Sequence, residues 1–278
     1  MTSEQRMNHE VALDAILANY RQLDITEDVE YDTPKWPVAC GAFGEIYNRR
    51  YTRSDGSDTV VAIKCLTVYA DGKRDTAKIF KREINAWNLL QHANVLPLLS
   101  YVLENNDDGS LKVPSLVSEW MDNGCIPDYT RKQSLPSGLF GLVCFRLKHL
   151  HEKNVAHADF KSANVLVSRA GRAVICDFGA VHVSCGSESS HPSSNASDPR
   201  GTSRWLAYEL LVPGGKNMKV TKAFDTWAFG MTLYEILTND YPYAGTLLGA
   251  QVLISIMNFN LPEPTVSEAT TGIFGISA

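Results

Sequence analysis

The octet at residues 157–164, His-Ala-Asp-Phe-Lys-Ser-Ala-Asn, constrains this chain more than any other part of the sequence. Asp159 can accept a proton from a hydroxyl group, and Lys161 can neutralise a phosphate. Asn164 can coordinate a cation through its side-chain carbonyl oxygen. The octet therefore predicts a site that handles both a hydroxyl group and a phosphate.

A hairpin follows the octet in the predicted structure. Residues 165–167 and 173–176 have the composition of two short strands, and Asp177 comes directly after the second strand. Pairing of the two strands would bring Asn164 and Asp177 to the same end of the hairpin. Their oxygen atoms are suitable ligands for Mg²⁺, so the sequence predicts a single metal site there.

Two glycines near the beginning of the chain, Gly41 and Gly44, fall at a predicted strand turn where backbone N–H groups could approach phosphate oxygens. Taken alone, this pattern also fits an ordinary hairpin. The sequence Val-Ala-Ile-Lys at 61–64 places Lys64 on the inner face of the next strand, where an isolated charge is costly unless phosphates and a carboxylate neutralise it. Glu83 in the following helix is the candidate carboxylate, although its position also fits a solvated helix charge.

The hydrophobic pattern predicts an α+β chain whose composition changes near residue 120. Before that point strands dominate around one main helix, and after it the pattern is mainly helical. The predicted strands are Pro37–Tyr51, Thr59–Leu66, Val95–Val102 and Lys112–Val117, with a turn at Ser54–Ser57. The predicted helices are Arg74–Gln91, Leu139–His151, Thr221–Thr238 and Leu247–Asn258.

Two further segments are predicted outside these elements. Residues 4–21 form a short amphipathic helix with one apolar face, made of Val11, Ala15, Ile16 and Tyr20. Residues 184–197 contain seven serines together with glycine, asparagine and proline, a composition that predicts a mobile loop.

Charge and hydropathy exclude several classes of protein. The chain has 278 residues with 26 Lys and Arg against 31 Asp and Glu, a net charge of -5, which disfavours a nucleic-acid binder or an anchor for acidic membranes. Its longest apolar stretches are shorter than the roughly 20 residues that span a bilayer. The six cysteines show no Cys-x-x-Cys pair, and the first ten residues do not resemble a secretory signal. These observations predict a cytoplasmic protein with reduced thiols.

The order of the motifs supports a resemblance to a known family. After the glycines, V-A-I-K and the helix glutamate come H-x-D-x-K-x-x-N, D-F-G at 177–179, G-T-x-x-W-x-A-x-E at 201–209 and D-x-W-x-x-G at 225–230. In this order, over residues 36–262, the chain resembles the eukaryotic protein kinase family.

Within that family, the chain combines features of two groups. Tryptophans at 87, 205 and 227 resemble the tyrosine-kinase-like group. Lys161 and Thr202 resemble serine/threonine kinases. The resemblance implies a two-lobe fold with an extension at 1–35, an N-lobe at 36–120, a C-lobe at 121–264 and a tail at 265–278.

The resemblance also implies roles for individual residues, with ATP and Mg²⁺ as cofactors. Lys64 would contact the α- and β-phosphates and pair with Glu83, while Asp159 would orient the substrate hydroxyl and Lys161 would neutralise the γ-phosphate. Asn164 and Asp177 would hold the Mg²⁺, and Asp225 would brace the 157–164 loop. The nucleotide would lie among Ala39, Gly41, Gly44, Ile46, Ala62, Lys64, Ser118, Glu119, Met121 and Leu166.

Several positions depart from the family pattern. Ala39 occupies the place of the first glycine, and Ala158 replaces an arginine that grips an activation-loop phosphate in many kinases. Tyr208 replaces a proline. Glu209 pairs in the family with a late arginine, but no arginine follows Arg204 in this chain. The C-lobe is therefore expected to be truncated at its C-terminal end and destabilised by about 3–5 kcal/mol, the usual effect of breaking a buried ion pair.

The sequence thus predicts an ATP-dependent protein kinase that phosphorylates serine or threonine, with tyrosine as a further possibility. A second reading is a catalytically weak pseudokinase or truncated isoform that binds nucleotide as a scaffold. The sequence predicts a protein substrate but does not identify it, and it does not predict the oligomeric state.

Overall fold

Two units make up the chain, Met1–Trp120 and Met121–Ala278. The computed structural model describes residues 11–30, 36–41, 44–66, 76–104, 113–133, 147–183, 202–211, 221–246 and 248–263. The first unit contains a large sheet and the second is mainly helical, which confirms the predicted α+β class.

The sheet of the first unit is entirely antiparallel. Its strands are β1 (Val29–Glu30), β2 (Ala39–Gly41), β3 (Gly44–Thr52), β4 (Asp58–Leu66), β5 (Leu98–Glu104) and β6 (Val113–Glu119). They lie in the order β1-β3-β4-β6-β5, and β2 also pairs with β3. The predicted strands and the turn between β3 and β4 are confirmed, since Ser57 N–H donates to the Asp55 carboxylate there.

The core of this sheet depends on β-branched residues in its central strands. Val61 and Ile63 on β4 are fully buried together with Val102 and Val117 on the neighbouring strands. β-branched side chains pack well on a pleated surface, which explains why this run forms a central strand. Because β4 is central, Lys64 is held in a fixed register opposite Ile46 and Leu116.

Two helices lie among the described residues of the first unit, α1 over residues 11–17 and α2 (Thr76–Leu89). Helix α2 confirms its prediction. Phe80, Ile84 and Trp87 of this helix are buried, as is Leu90 directly after it.

The predicted apolar face of the N-terminal helix is wrong. Leu13 and Leu17 are its buried residues, whereas Val11 is 64 % exposed and Ala15 is also exposed. Leucines four residues apart lie above one another on a helix, and this pair defines the face that is covered. Ile25 and Val29, which lie within the predicted extension 1–35, pack in the sheet core.

The second unit contains four helices and two small strand pairs within its described residues. The helices are α3 (Ile126–Thr130), α4 (residues 147–152), α5 (Lys222–Thr238) and α6 (Gly249–Met257). The strands are β7 (Val155–Ala156), β8 (Val165–Val167), β9 (Ala173–Ile175) and β10 (His182–Val183), paired as β7 with β10 and β8 with β9. Short 3₁₀ turns lie at Arg21–Leu23, Thr26–Asp28, Ser162–Asn164, Thr202–Trp205 and Tyr208–Leu210.

Helices α5 and α6 and the β8–β9 hairpin confirm their predictions. Of the helix predicted at Leu139–His151, only the end that belongs to α4 lies among the described residues. The serine-rich segment 184–197 and the tail 265–278 lie outside them. No helix in the described part of the chain combines the length and the apolar character needed to cross a membrane.

Candidate active site

Lys64 and Glu83 form a buried ion pair in the first unit. Lys64 Nζ lies 2.6 Å from Glu83 Oε1, and both side chains are almost inaccessible to solvent. Strand β4 supplies the lysine and helix α2 supplies the glutamate. A buried ammonium group is costly without a partner, so the carboxylate explains how the sheet tolerates a lysine in its interior. The structure therefore excludes the alternative that Glu83 is a solvated helix charge.

The β2–β3 turn requires glycine at one position. A Cβ atom at Gly44 would collide with the carbonyl oxygen of Cys65 on the adjacent strand. Gly44 pairs with Gly41, and Ala39 pairs with Ile46. The backbone of β3 can therefore approach β4 closely only because this side chain is missing.

The other residues expected around a nucleotide lie on both units. Ala62 and Ser118 face each other across the β4–β6 pair, and Glu119 follows at the exposed end of β6. In the second unit Met121 is buried, and Leu166 on β8 pairs with Val174. These positions remain predictions for nucleotide contacts.

Asp159 is the centre of the site in the second unit. Its side chain is buried, and Oδ2 accepts hydrogen bonds from Lys161 Nζ at 2.9 Å and from Asn164 Nδ2 at 3.2 Å. Asn164 Nδ2 also donates to the Asp159 carbonyl oxygen at 2.7 Å. The second carboxylate oxygen, Oδ1, has no hydrogen-bond partner among the described residues. Lys161 and Asn164 thus converge on one oxygen of the Asp159 carboxylate.

Burial raises the pKa of Asp159 above its ordinary value, and the negative charge of Asp177 raises it further. The ammonium group of Lys161 opposes this shift, as does the hydrogen bond that it donates. A carboxylate with a raised pKa is a stronger proton acceptor than an exposed one. This environment suits Asp159 to receive a proton from a hydroxyl group.

The oxygen atoms near Asp159 are suitable ligands for a hard divalent cation. Asp177 is close enough to raise the pKa of Asp159, and two nearby carboxylates repel each other unless a cation lies between them. Because the amide nitrogen of Asn164 donates to Asp159, its carbonyl oxygen is left as the acceptor. Carboxylate and amide oxygens are ligands that Mg²⁺ prefers. No group of three or more His, Cys, Asp or Glu residues suitable for a metal occurs in the described ranges.

His157 joins the loop to the strand that precedes Asp177. Its Nε2 lies 3.0 Å from the Cys176 carbonyl oxygen, and its ring packs against Phe160 and Phe178. Asp159 N–H donates to the other ring nitrogen. The histidine therefore fixes the distance between the octet and the chain around Asp177.

A family comparison agrees with this arrangement. A model described as the protein kinase domain matches residues 38–269. The chain belongs to the protein kinase family.

The curated relatives that match this kinase chain are distant. It is 27 % identical to the serine/threonine-protein kinase STY46 of Arabidopsis thaliana, over 84 % of this chain and 37 % of that protein. It is 32 % identical to the receptor-interacting serine/threonine-protein kinase 3 of Rattus norvegicus, over 72 % of this chain and 40 % of that protein. A third relative, the serine/threonine-protein kinase shk2 of Schizosaccharomyces pombe, is 26 % identical over 78 % of this chain. The kinase chain thus spans less than half the length of the first two relatives.

Asp225 on α5 holds the 157–164 loop in place. Its carboxylate accepts hydrogen bonds from the N–H groups of His157 and Ala158, each at 2.8 Å. It also lies 2.8 Å from His151 Nε2 on α4. The sequence predicted the bracing role of Asp225, but it did not identify His151 as a third partner.

Two residues of the candidate site have left-handed backbone conformations. Ala158 has φ 67° and Asp177 has φ 65°. This conformation costs a residue with a side chain roughly 1–2 kcal/mol, so both positions need external support. The bond from Ala158 N–H to Asp225 supplies that support at the first position.

The expectation that an unpaired Glu209 destabilises the C-lobe is wrong for the described structure. Glu209 is exposed, so its charge keeps its hydration and no buried ion pair is broken. Tyr208, which replaces the family proline, packs against Phe259 after α6 with ring centroids 4.0 Å apart. The region is thus stabilised by an aromatic contact instead of an ion pair.

Arg204 has a structural role that the sequence did not reveal. Its guanidinium group donates to the carbonyl oxygens of Pro242, Tyr243 and Thr246, at 2.6–3.0 Å. These carbonyls belong to the loop between α5 and α6. One side chain therefore satisfies three acceptors of that loop.

We expect Arg204→Ala to lower the free energy of unfolding by about 2–4 kcal/mol, because several charge-assisted hydrogen bonds are lost together. Chemical denaturation measures this change. Arg169→Ala is the matched control, since Arg169 is an exposed arginine paired with exposed Asp122, and it should change stability by less than about 0.5 kcal/mol. Equal effects of the two substitutions would contradict the role of Arg204.

Proposed function

We propose that the chain is an ATP- and Mg²⁺-dependent protein kinase that transfers the γ-phosphoryl group to serine or threonine hydroxyls of protein substrates. The observation that carries this proposal is the buried Asp159 carboxylate, held by Lys161 and Asn164 with one oxygen left free. A scaffold that only binds nucleotide has no need for a buried charge with a free acceptor.

Each residue contributes positioning or charge neutralisation. Asp159 accepts the proton of the attacking hydroxyl, and Lys161 offsets negative charge on the transferred group. Lys64, fixed by Glu83, binds the phosphates of the nucleotide. Asn164 and Asp177 would hold Mg²⁺, which neutralises charge on the phosphates when it is bound. Orientation and electrostatics of this kind account for most of the catalysis in phosphoryl transfer.

Two observations favour serine and threonine as acceptors. The octet contains a lysine two residues after its aspartate, and that lysine contacts the aspartate directly. The relatives STY46 and receptor-interacting kinase 3 are named as serine/threonine-protein kinases. The chain does not identify the protein that it phosphorylates.

A pseudokinase scaffold is the competing reading, based on the expected truncation of the C-lobe and on Tyr208. It predicts nucleotide binding without transfer. We expect instead that purified protein with Mg²⁺ and γ-labelled ATP labels itself or a generic basic protein. Analysis of the phosphorylated amino acids separates serine and threonine from tyrosine. Asp159→Asn is the control, and label that persists in this variant would indicate a contaminating kinase.

We expect Asp177→Asn to remove the tightening of ATP binding by Mg²⁺, because the amide carries no charge to attract the cation. Calorimetry with ATP, in the presence and absence of Mg²⁺, measures the ratio of dissociation constants. Asp58→Asn removes a carboxylate from an exposed site in the first unit and should preserve the ratio. If Asp177→Asn also preserves it, then Asp177 is not a metal ligand.

A further inference from the structure

Helix α2, which carries Glu83, is bonded to a residue far away in the sequence. The hydroxyl of Tyr20 donates a hydrogen bond to Asn85 Oδ1. Asn85 follows Glu83 by two positions on the same helix. Tyr20 is half-buried, and burial raises the pKa of its hydroxyl, which therefore stays protonated as a donor.

The chain after Tyr20 is fixed to the sheet independently of α2. Ile25 N–H donates to the Tyr101 carbonyl oxygen, and Leu103 N–H donates to Thr26 Oγ1. Val29 pairs with Tyr51 across the β1–β3 ladder. Residues 24–29 are thus attached to both edges of the sheet, and Tyr20 extends from an anchored segment.

Tyr101 connects the same segment to α2 by a second route. Its ring lies edge-on to Phe80 of α2, with centroids 6.1 Å apart, while its carbonyl oxygen accepts the bond from Ile25. Tyr101 is fully buried. Residues 20–29 thus contact α2 directly through Tyr20 and indirectly through Tyr101.

We propose that Tyr20 is a positioning residue for catalysis, which holds α2 through Asn85 so that Glu83 stays paired with Lys64. The inference rests on the proposed kinase function of this ion pair. Tyr20 touches no reacting group and acts only through the helix. A loss of the Tyr20 hydroxyl lets α2 move and loosens the Lys64–Glu83 pair, with the fold otherwise intact.

The test compares Tyr20→Phe, which removes one hydroxyl and keeps the ring, with Tyr51→Phe as a matched control on β3. We expect Tyr20→Phe to lower kcat/KM for ATP roughly 2- to 10-fold, the range that one hydrogen bond supports. Asn85→Ala should have the same effect, and the double variant should be no worse than either single one. In a Glu83→Gln background the effect of Tyr20→Phe should disappear.

Hydrogen exchange provides a readout that does not need activity. Tyr20→Phe should speed exchange in peptides from residues 76–89 and leave residues 222–238 unchanged. Faster exchange with unchanged kcat/KM would show a purely structural bond and overturn the proposal, as would additive effects with Glu83→Gln. If the wild-type chain binds ATP without transferring phosphate, the kinase function fails. The role of Tyr20 in holding α2 is then tested with the same variants, by comparing their dissociation constants for ATP. If the wild-type chain binds no ATP, both proposals fail.

Discussion

Replacing Asp159 by asparagine is expected to lower the rate of phosphoryl transfer about 10²- to 10⁴-fold, the usual contribution of a general base. Binding of ATP should change little, since Lys64 and Glu83 lie in the other unit and are untouched. Single-turnover assays with calorimetry of ATP binding separate the two effects. The exposed Asp58→Asn variant controls for the loss of one negative charge and should retain full activity.

The raised pKa of Asp159 predicts that Asp159→Asn, which lowers activity, does not lower stability. A buried carboxyl whose pKa is higher in the folded than in the unfolded state stabilises the fold as the pH falls, and this benefit is lost as the pH rises through the folded pKa. Asparagine removes the charge, so Asp159→Asn should melt at the same or a higher temperature than the wild type at neutral pH. Wild-type activity should fall on acidification, with a midpoint above the roughly 3.9 of an exposed aspartate. A destabilised variant would indicate that Asp159 is mainly structural.

Asp225→Ala is expected to lower the free energy of unfolding by about 3–6 kcal/mol, because the N–H groups of His157 and Ala158 and the His151 ring lose their common acceptor. Typical domains have only about 5–15 kcal/mol in total, so much of the second unit should unfold. Urea denaturation followed by circular dichroism measures the loss.

Asp225→Asn keeps the shape of the side chain and one oxygen acceptor, and it should recover part of the stability. Ala158→Gly gives an independent check on the same loop, because glycine adopts φ 67° without strain. We expect Ala158→Gly to raise the free energy of unfolding more in an Asp225→Asn background than in the wild-type background. If Asp225→Ala has wild-type stability, the carboxylate does not brace the loop.

The sequence predicts the strands, helices and candidate site residues that depend on chain order and local pattern. Strand β4 and helix α2 follow from hydrophobic periodicity, and the charge of Lys64 in such a strand calls for a partner such as Glu83. The hairpin between Asn164 and Asp177 follows from two short strands in succession. In each case the information lies within a few residues or in the cost of an unpaired charge.

The remaining features depend on contacts between distant residues. Nothing near Tyr20 indicates Asn85, and nothing near His151 indicates Asp225, because such bonds arise only when the elements pack. The left-handed backbone at Ala158 has no local signal either, since alanine rarely adopts it. The face of α1 was mistaken because two apolar stripes were available, and the tertiary structure selects the one with Leu13 and Leu17.

The proposed Mg²⁺ ligands, Asn164 and Asp177, would link folding to ligand concentration. A cation that binds these oxygens only in the folded chain stabilises it by mass action, by about 2.7 kcal/mol at one hundred times its dissociation constant. The Asp159 and Asp177 carboxylates repel each other, which opposes folding in the free chain. A bound cation relieves this repulsion, and the relief is part of the binding free energy. The folded fraction of this protein in a cell would consequently follow the supply of free Mg²⁺ and nucleotide, and a destabilising substitution elsewhere would be partly masked where these are abundant.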